Sequence, residues 1–217
     1  EGFTSYYDDL LLLRAGLVDA PRYLRLVAAT ASGVLATPGR KVQSLARASF
    51  DAWVKYYRQD ENSVNATISY YTLGSLVALA LDLELRAAGG RRGASLDAVM
   101  RRLWQASGGG PLREADILEA VAAVGGARHG PALAERLRDR VHGIDDLPLP
   151  ALLARFGLRW QPQKPTLAQR WGLRVAESAL TGVKVTHVLR GGAAEAAGLA
   201  PGDELLAVAG WRLRRLE

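Results

Sequence analysis

Apolar residues recur at helical spacing over most of the first 160 positions of this chain. Residues 2 to about 16 form the first amphipathic stretch, and a second begins at Asp19, with Pro21 in its first turn. A capping side chain followed by proline is a helix start signal, whereas glycine weakens a helix interior. The pattern therefore predicts two helices, the second of which breaks at Gly33.

The middle of this region contains the most apolar segment of the sequence. A third helix is predicted from Thr37 to about Ala48, a further helical turn or two over Phe50–Tyr57, and a polar loop over Arg58–Thr67. The segment from Tyr70 to about Ala87 is then apolar on nearly all sides. Because a helix that is apolar all round lies inside a domain, we expect this one to be the central helix.

Shorter elements are predicted after the central helix. Ser95 is placed to cap the next helix, and further helices are predicted at about 113–124 and 131–141, with a short one after Leu147–Pro150. The segment Gly157–Trp160 is predicted to leave this short helix as a strand. The residues expected to face inward from the helix capped by Ser95 are Leu96, Val99, Met100, Leu103 and Trp104.

The hydrophobic period changes after residues 161–166, which contain two prolines and two glutamines. Alternating β-branched residues beyond that point are typical of strands. The elements predicted there are strands at 172–175, 183–189 and 203–208 and a short helix at 193–197. The sequence thus predicts a mainly α chain, with a multi-helix part over residues 1–160, a linker over 161–167 and a small β/α segment over 168–217.

Composition narrows the class of protein only slightly. The 217 residues are 49% apolar and include no cysteine, which suits a globular chain with a sizeable core and excludes disulfides and thiolate metal sites. No uninterrupted apolar run approaches the roughly 18 residues of a membrane-spanning helix, so no membrane partner is expected.

The net charge of +6 comes from arginines scattered among Ala, Leu and Gly. Such scattering is typical of a GC-rich bacterial genome, and pairs such as Arg91-Arg92 and Arg101-Arg102 are expected on solvated helix ends and faces. The basic segment Gly89–Gly93 lacks the Lys-Ser/Thr pair and the preceding strand of a P-loop, so we expect a surface turn. No nucleic-acid partner is predicted, although a basic helical nucleic-acid binder stays open as a third hypothesis.

The last part of the chain resembles a bacterial PDZ domain. Three segments carry the resemblance: Val185–Leu189, Ala193–Leu199 and Pro201–Gly210, which together contain the pattern Ala-Gly-Leu-x-x-Gly-Asp. PDZ domains bind extended peptides by strand addition beside a later helix. Because the chain stops at Glu217, before that helix, we expect a truncated PDZ-like segment without normal peptide binding. Its open strand edge favours self-association between chains.

Two motifs near the start of the chain extend this resemblance. Glu1–Tyr7 is similar to a zinc-ligand helix, and Tyr71 with Gly74 is similar to the Tyr-x-x-Gly element of zinc aminopeptidases. With the PDZ-like segment they identify the chain as similar to the glycyl aminopeptidases, which are thermolysin-like metallopeptidases with a C-terminal PDZ domain. The implied fold is the multi-helix C-terminal part of a thermolysin-like catalytic region, followed by the partial PDZ domain.

The resemblance implies roles for individual residues. Glu1 matches the third zinc ligand, which follows a His-Glu-x-x-His helix that supplies two histidine ligands and a general base. Three protein ligands leave a fourth zinc position for water, whose pKa the metal lowers. Tyr71 matches the tyrosine that donates a hydrogen bond to the oxyanion. Tyr70 is expected to point elsewhere and pack in the core, and Gly74 to allow close approach of a neighbouring backbone.

The chain departs from that pattern at its histidines. His129, His142 and His187 do not lie in His-Glu-x-x-His, and we expect them in a Gly/Arg turn, at a helix end and in a PDZ strand. We therefore expect a C-terminal fragment whose zinc belongs to a longer parent, and which alone binds no catalytic zinc and is inactive. Asp8 and Asp9 are expected on a solvated face.

The expected parent is a bacterial, cytoplasmic zinc aminopeptidase that releases glycine or alanine from the N-termini of peptide substrates. The alternative is a non-catalytic peptide-binding or chaperone-like protein that has kept the scaffold and the PDZ domain. An intact or a degenerate His-Glu-x-x-His upstream of Glu1 distinguishes these two hypotheses.

Overall fold

The computed structural model describes residues 1–89, 93–178 and 182–216. Helices dominate the first part of the chain. They are α1 (Gly2–Arg14), α2 (Ala20–Leu35), a 3-10 helix (Pro38–Lys41), α3 (Leu45–Phe50), α4 (Ser63–Ala66), α5 (Tyr70–Gly89), α6 (Leu96–Ser107), α7 (Glu114–His142) and α8 (Leu149–Ala154). The predicted pair Arg91-Arg92 and most of the predicted turn at 89–93 lie outside the described residues.

Helix α5 is the centre of the helical part, as its pattern predicts. It packs against α1, α2, α3, α6, α7 and α8. Leu81 and Leu85 are fully buried, and each buried leucine contributes about 1.5–3 kcal/mol relative to an exposed one. The same helix also buries two carboxylates, Asp82 and Glu84, which are 4% and 8% exposed.

Two of the early helix predictions are wrong. Helix α2 continues through Gly33 to Leu35, because a single helical glycine costs only about 1 kcal/mol and the helix packs against its neighbours. The predicted helix from Thr37 to Ala48 is instead a 3-10 turn followed by α3. Helix α3 has its own N-cap, Ser44, whose hydroxyl accepts a hydrogen bond from the N–H of Arg47.

A loop, a helical turn and a strand that the sequence predicts further along the chain need correction. The predicted polar loop at 58–67 contains the short helix α4, and residues 51–57 form turns rather than a helix. Helix α7 spans the two helices predicted at 113–124 and 131–141, and its backbone is not helical at Gly126, where φ is 72° and ψ is 171°, so the predicted interruption after residue 124 is observed. Residues 157–160 form no strand.

Helix α6 buries Leu96, Val99 and Leu103, whereas Met100 and Trp104 are 37% and 70% exposed. The three buried residues are spaced by three and four positions, which places them on one face. Met100 and Trp104 lie beside that face, so the prediction that they point inward is wrong.

The C-terminal segment is a small β structure with its own buried cluster around Leu173 and Val185. Residues 161–166 have no regular structure, and a helix that the sequence did not predict, α9 (Leu167–Trp171), follows. Strands β1 (Leu173–Ser178), β2 (Gly182–Val188) and β3 (Glu204–Leu205) form an antiparallel sheet in that order, with α10 (Ala193–Ala196) between β2 and β3. Strands β4 (Ala207–Val208) and β5 (Trp211–Arg212) pair separately, so the strand predicted at 203–208 is divided in two.

The amide of Asn65 joins the helical part to this β segment. Its nitrogen donates to the carbonyl oxygen of Val188 at 2.8 Å, and its oxygen accepts from the N–H of Arg190 at 2.9 Å. Asn65 is 6% exposed. A buried amide that satisfies a backbone donor and acceptor at the end of β2 fixes the contact between the two parts.

In the part of the chain that the structure describes, one helical stretch is long enough and apolar enough to cross a membrane. It is Ser63–Gly89, with a mean hydropathy of 1.3. Of its apolar window, 61% is buried inside the fold. That burial is the property expected of a central core helix.

Candidate functional site

Helices α1 and α5 cross at a pair of glycines, Gly2 and Gly74. A Cβ atom built on Gly74 would lie 2.7 Å from the Cα of Gly2, and one on Gly2 would lie 2.7 Å from the Gly74 backbone. No side chain larger than hydrogen fits at such a contact. The crossing therefore brings the first residue of the chain against the start of α5, which confirms the close approach predicted for Gly74.

Glu1 lies at this crossing, immediately before the first residue of α1. Its side chain is exposed and makes no capping hydrogen bond within the described residues. It lines a cavity of about 420 Å³ together with Phe3 and Tyr70. The carboxylate is therefore free to accept a ligand. Asp8 in the same helix is exposed, as predicted, whereas Asp9 is half-buried.

The hydroxyl groups of three tyrosines meet at the start of α5, and one of the three, Tyr70, lines the same cavity as Glu1. Tyr57 Oη lies 3.0 Å from Tyr71 Oη and 3.1 Å from Tyr70 Oη. The rings of Tyr70 and Tyr71 are tilted by 32° with their centroids 4.3 Å apart, and Tyr56 packs edge-on against Tyr70 at 5.4 Å. Tyr70 is 7% exposed. Its predicted place in the core is correct, but its hydroxyl joins the same group as Tyr71 instead of pointing elsewhere.

These contacts shift the ionisation of the three phenols in different directions. The hydrogen bonds that Tyr57 shares with Tyr70 and Tyr71 lower the pKa of Tyr57. The hydrogen bond to Tyr57 raises the pKa of both Tyr70 and Tyr71. The charge of Glu1 also raises the pKa of Tyr71. Tyr71 therefore stays protonated, and thus able to donate, at neutral pH.

Two of the three histidines have polar partners other than Glu1 in the described structure. His142 Nε2 contacts the Glu114 carboxylate at 2.9 Å at the end of α7, and His187 lies in β2 with Nδ1 3.1 Å from Thr186 Oγ1. His129 lies in α7 and not in the predicted turn. Burial lowers the pKa of His187, and nearby Arg174 adds to the effect. Over residues 1–89, 93–178 and 182–216, no group of three His, Asp or Glu side chains is arranged to hold a metal.

A buried polar network behind the site was missed by sequence reasoning. The hydroxyl of Tyr6 donates to Asp82 at 2.7 Å, and the same carboxylate accepts from Arg86 Nε at 2.8 Å and from the N–H of Leu96 at 2.7 Å. Asp82 thus ties α1 and the start of α6 to α5. The only sequence signal was an acidic residue at position i with an arginine at i+4, which is common on solvated helices.

Two more carboxylates support the same helices. Asp97 accepts from Tyr7 at 2.8 Å and from both terminal nitrogens of Arg14. Burial alone would raise the pKa of Asp97, but the hydrogen bonds from Arg14 and Tyr7 outweigh it and hold that pKa below its ordinary value. Glu84 forms a two-point pair with Arg140 at 2.8 Å. Together these pairs hold α1, α5, α6 and α7 around the site.

The fold and the site define a class: a helical region with a carboxylate and a tyrosine cluster at one helix crossing, followed by a small PDZ-like segment. Comparison with protein families supports both parts. Residues 1–77 match the family model of the M61 glycyl aminopeptidases, and residues 160–217 match the PDZ domain. The first match includes Glu1, Tyr57, Tyr70 and Tyr71.

The structural comparison covers almost the whole chain. A crystal structure of an aminopeptidase N family protein from Idiomarina loihiensis superimposes with a TM-score of 0.87 and 32% sequence identity over 99% of this chain. The chain spans 38% of the length of that protein. Curated protein sequences give no match. The predicted resemblance to the glycyl aminopeptidases and the predicted fold class are confirmed, and the chain is peptidase-related.

Proposed function

We propose that this chain supplies one half of the active site of a zinc-dependent aminopeptidase. The observation that supports the proposal is the crossing of α1 and α5 at Gly2 and Gly74, which brings Glu1 to the start of the helix that contains Tyr71. Glu1 serves as a zinc ligand. Tyr71 donates a hydrogen bond to the oxygen of the substrate carbonyl as negative charge develops on it.

Of the ligands that a catalytic zinc ion needs, this chain offers one, the carboxylate of Glu1. Glu1 offers an exposed carboxylate without a capping bond in the described part of the chain, and carboxylate oxygen is an ordinary zinc ligand. When bound, zinc supplies a Lewis acid and an activated water. The two histidine ligands and the general base belong to a longer protein, in line with the 38% coverage of the structural relative.

The substrates expected for such an aminopeptidase are peptides with a small N-terminal residue, glycine or alanine. This preference rests on the family match over residues 1–77. A peptide-binding or chaperone-like protein is the second candidate, favoured by the PDZ match over residues 160–217. An intact His-Glu-x-x-His in the longer protein supports the peptidase, and a degenerate one supports the binding protein.

The test of the proposal is the change Tyr71→Phe in the longer protein. We expect kcat to fall by about 100-fold or more, the usual cost of an oxyanion donor. Tyr56→Phe is the matched control, because its ring packs against Tyr70 and Tyr71 in the same cluster, and it should retain activity. A kcat for Tyr71→Phe within about twofold of the parent contradicts the role.

A further inference from the structure

We propose that Tyr57 is a positioning residue that acts through Tyr71, as the middle member of a hydroxyl relay running from Tyr70 to Tyr57 to Tyr71. The inference rests on the proposed function, because it assigns a role within the same site. The evidence for it is two short contacts of Tyr57 Oη, one of 3.1 Å to Tyr70 Oη and one of 3.0 Å to Tyr71 Oη.

Proton counting sets the direction of the relay. Each phenol has one proton to donate and can accept as well. Tyr71 can donate to a substrate oxygen only if its own proton is not used on Tyr57. Tyr57 must then donate to Tyr71, and Tyr70 must donate to Tyr57, which leaves the proton of Tyr71 free.

The surroundings of the three rings favour this direction. Tyr70 is 7% exposed whereas Tyr57 is 51% exposed, so the buried phenol depends on Tyr57 to satisfy its donor. Hydrogen bonds in a chain polarise one another, so a donor behind Tyr71 makes its hydroxyl a better donor in front.

Packing holds Tyr57 in place although it lies in a turn segment. The rings of Trp53 and Tyr56 flank it at 5.1 and 5.3 Å. The N–H of Tyr57 also donates to the carbonyl oxygen of Ala52 at 3.0 Å, and Ala52 is buried. The exposed aromatic segment therefore has a structural purpose: it carries a hydroxyl to the start of α5.

The first experiment measures steady-state kinetics in the longer protein. Tyr57→Phe should lower kcat by about 3- to 10-fold with KM nearly unchanged, which is the range that one neutral hydrogen bond supports. Tyr56→Phe is the control for ring packing. The double variant Tyr57→Phe/Tyr71→Phe should be no slower than Tyr71→Phe alone, because Tyr57 acts through Tyr71. A loss below about threefold, or an additive double variant, overturns the relay.

The second experiment needs no activity and uses the 217-residue chain. Tyrosine labelled with ¹³C at Cζ reports the hydrogen bonding of each phenol by NMR. Tyr57→Phe and Tyr70→Phe should both move the Tyr71 resonance, and Tyr56→Phe should leave it in place. If Tyr57→Phe moves it no more than Tyr56→Phe does, the relay is wrong. If Tyr71→Phe keeps full activity, the proposed function fails whatever the NMR result.

Discussion

Asp82 holds neighbouring helices together through its buried carboxylate. It is 4% exposed and accepts hydrogen bonds from Tyr6, from Arg86 and from the N–H of Leu96. A buried charge is tolerated only when its partners are present. The three partners come from three helices, so one side chain fixes their relative positions.

Removing this carboxylate should destabilise the chain strongly. We expect Asp82→Ala to lower the free energy of unfolding by about 3 kcal/mol or more, since it leaves a buried donor and Arg86 without their partner. Tyr6→Phe should cost about 1 kcal/mol, the value of one hydrogen bond. Urea denaturation measures both.

Asp8→Ala is the control for that experiment, because Asp8 is an exposed carboxylate on the helix that contains Tyr6. It should change the free energy of unfolding by less than about 0.5 kcal/mol. An equal loss in Asp82→Ala and Asp8→Ala would show that the network does not hold the helices.

Sequence motifs single out the two residues proposed to act in the site, and tertiary contacts single out the residues that pack around the same helices. Glu1 and Tyr71 carry a recognisable pattern, whereas Tyr57 lies 14 positions from Tyr71 in a segment without a motif. Asp82 directly follows an apolar run, a position that by itself indicates no buried partner. Only the fold shows that Tyr57 contacts Tyr71 and that Asp82 joins three helices.

At the scale of elements, the crossing of α1 and α5 depends on glycine. Gly74→Ala should lower the free energy of unfolding by about 1–3 kcal/mol, the cost of forcing a methyl group into a filled contact. The methyl group would lie 2.7 Å from the Cα of Gly2. Because α1 must move away, Glu1 moves with it, and activity in the longer protein should fall as well.

Gly33→Ala is the matched control for Gly74→Ala. Gly33 also lies inside a helix, but a Cβ there meets no atom within 4 Å in the described structure. Alanine should stabilise the chain by about 0.5–1 kcal/mol because it reduces the entropy lost on folding. A stabilising effect of both substitutions in urea denaturation would contradict the close crossing.

Local signals predicted helix starts better than helix ends. Asp19 and Ser95 cap α2 and α6 through bonds to Arg22 and Ala98, as their sequence positions suggest. The helix end predicted at Gly33 is wrong, because packing against neighbouring helices carries α2 past this glycine. Caps are local interactions, and the continuation of a helix is decided by the core.

At the scale of the whole molecule, the PDZ-like segment is held to the helical part by Asn65. The sequence reads this residue as part of a polar loop, since its partners Val188 and Arg190 lie more than 120 positions away. A pattern within a short window does not report such a contact. The predicted boundaries 1–160, 161–167 and 168–217 stay a prediction.

Removing the Asn65 amide should loosen this connection. Asn65→Ala leaves the carbonyl of Val188 and the N–H of Arg190 unpaired, at a cost of about 1–3 kcal/mol. Limited proteolysis should then cut faster within residues 161–166, which have no regular structure. Gln59→Ala, at an exposed position in the same region, should not change the rate. Equal rates for Asn65→Ala and the parent would contradict the role.

The central claim is that Glu1 is a zinc ligand of a peptidase whose histidine ligands lie outside this chain. Calorimetric zinc titration of the longer protein with Glu1→Gln tests it most directly, because glutamine keeps the shape and removes the charge. We predict that zinc affinity falls by at least about 10- to 100-fold, since even outer-shell partners cost that much. An unchanged zinc affinity in Glu1→Gln would contradict the account.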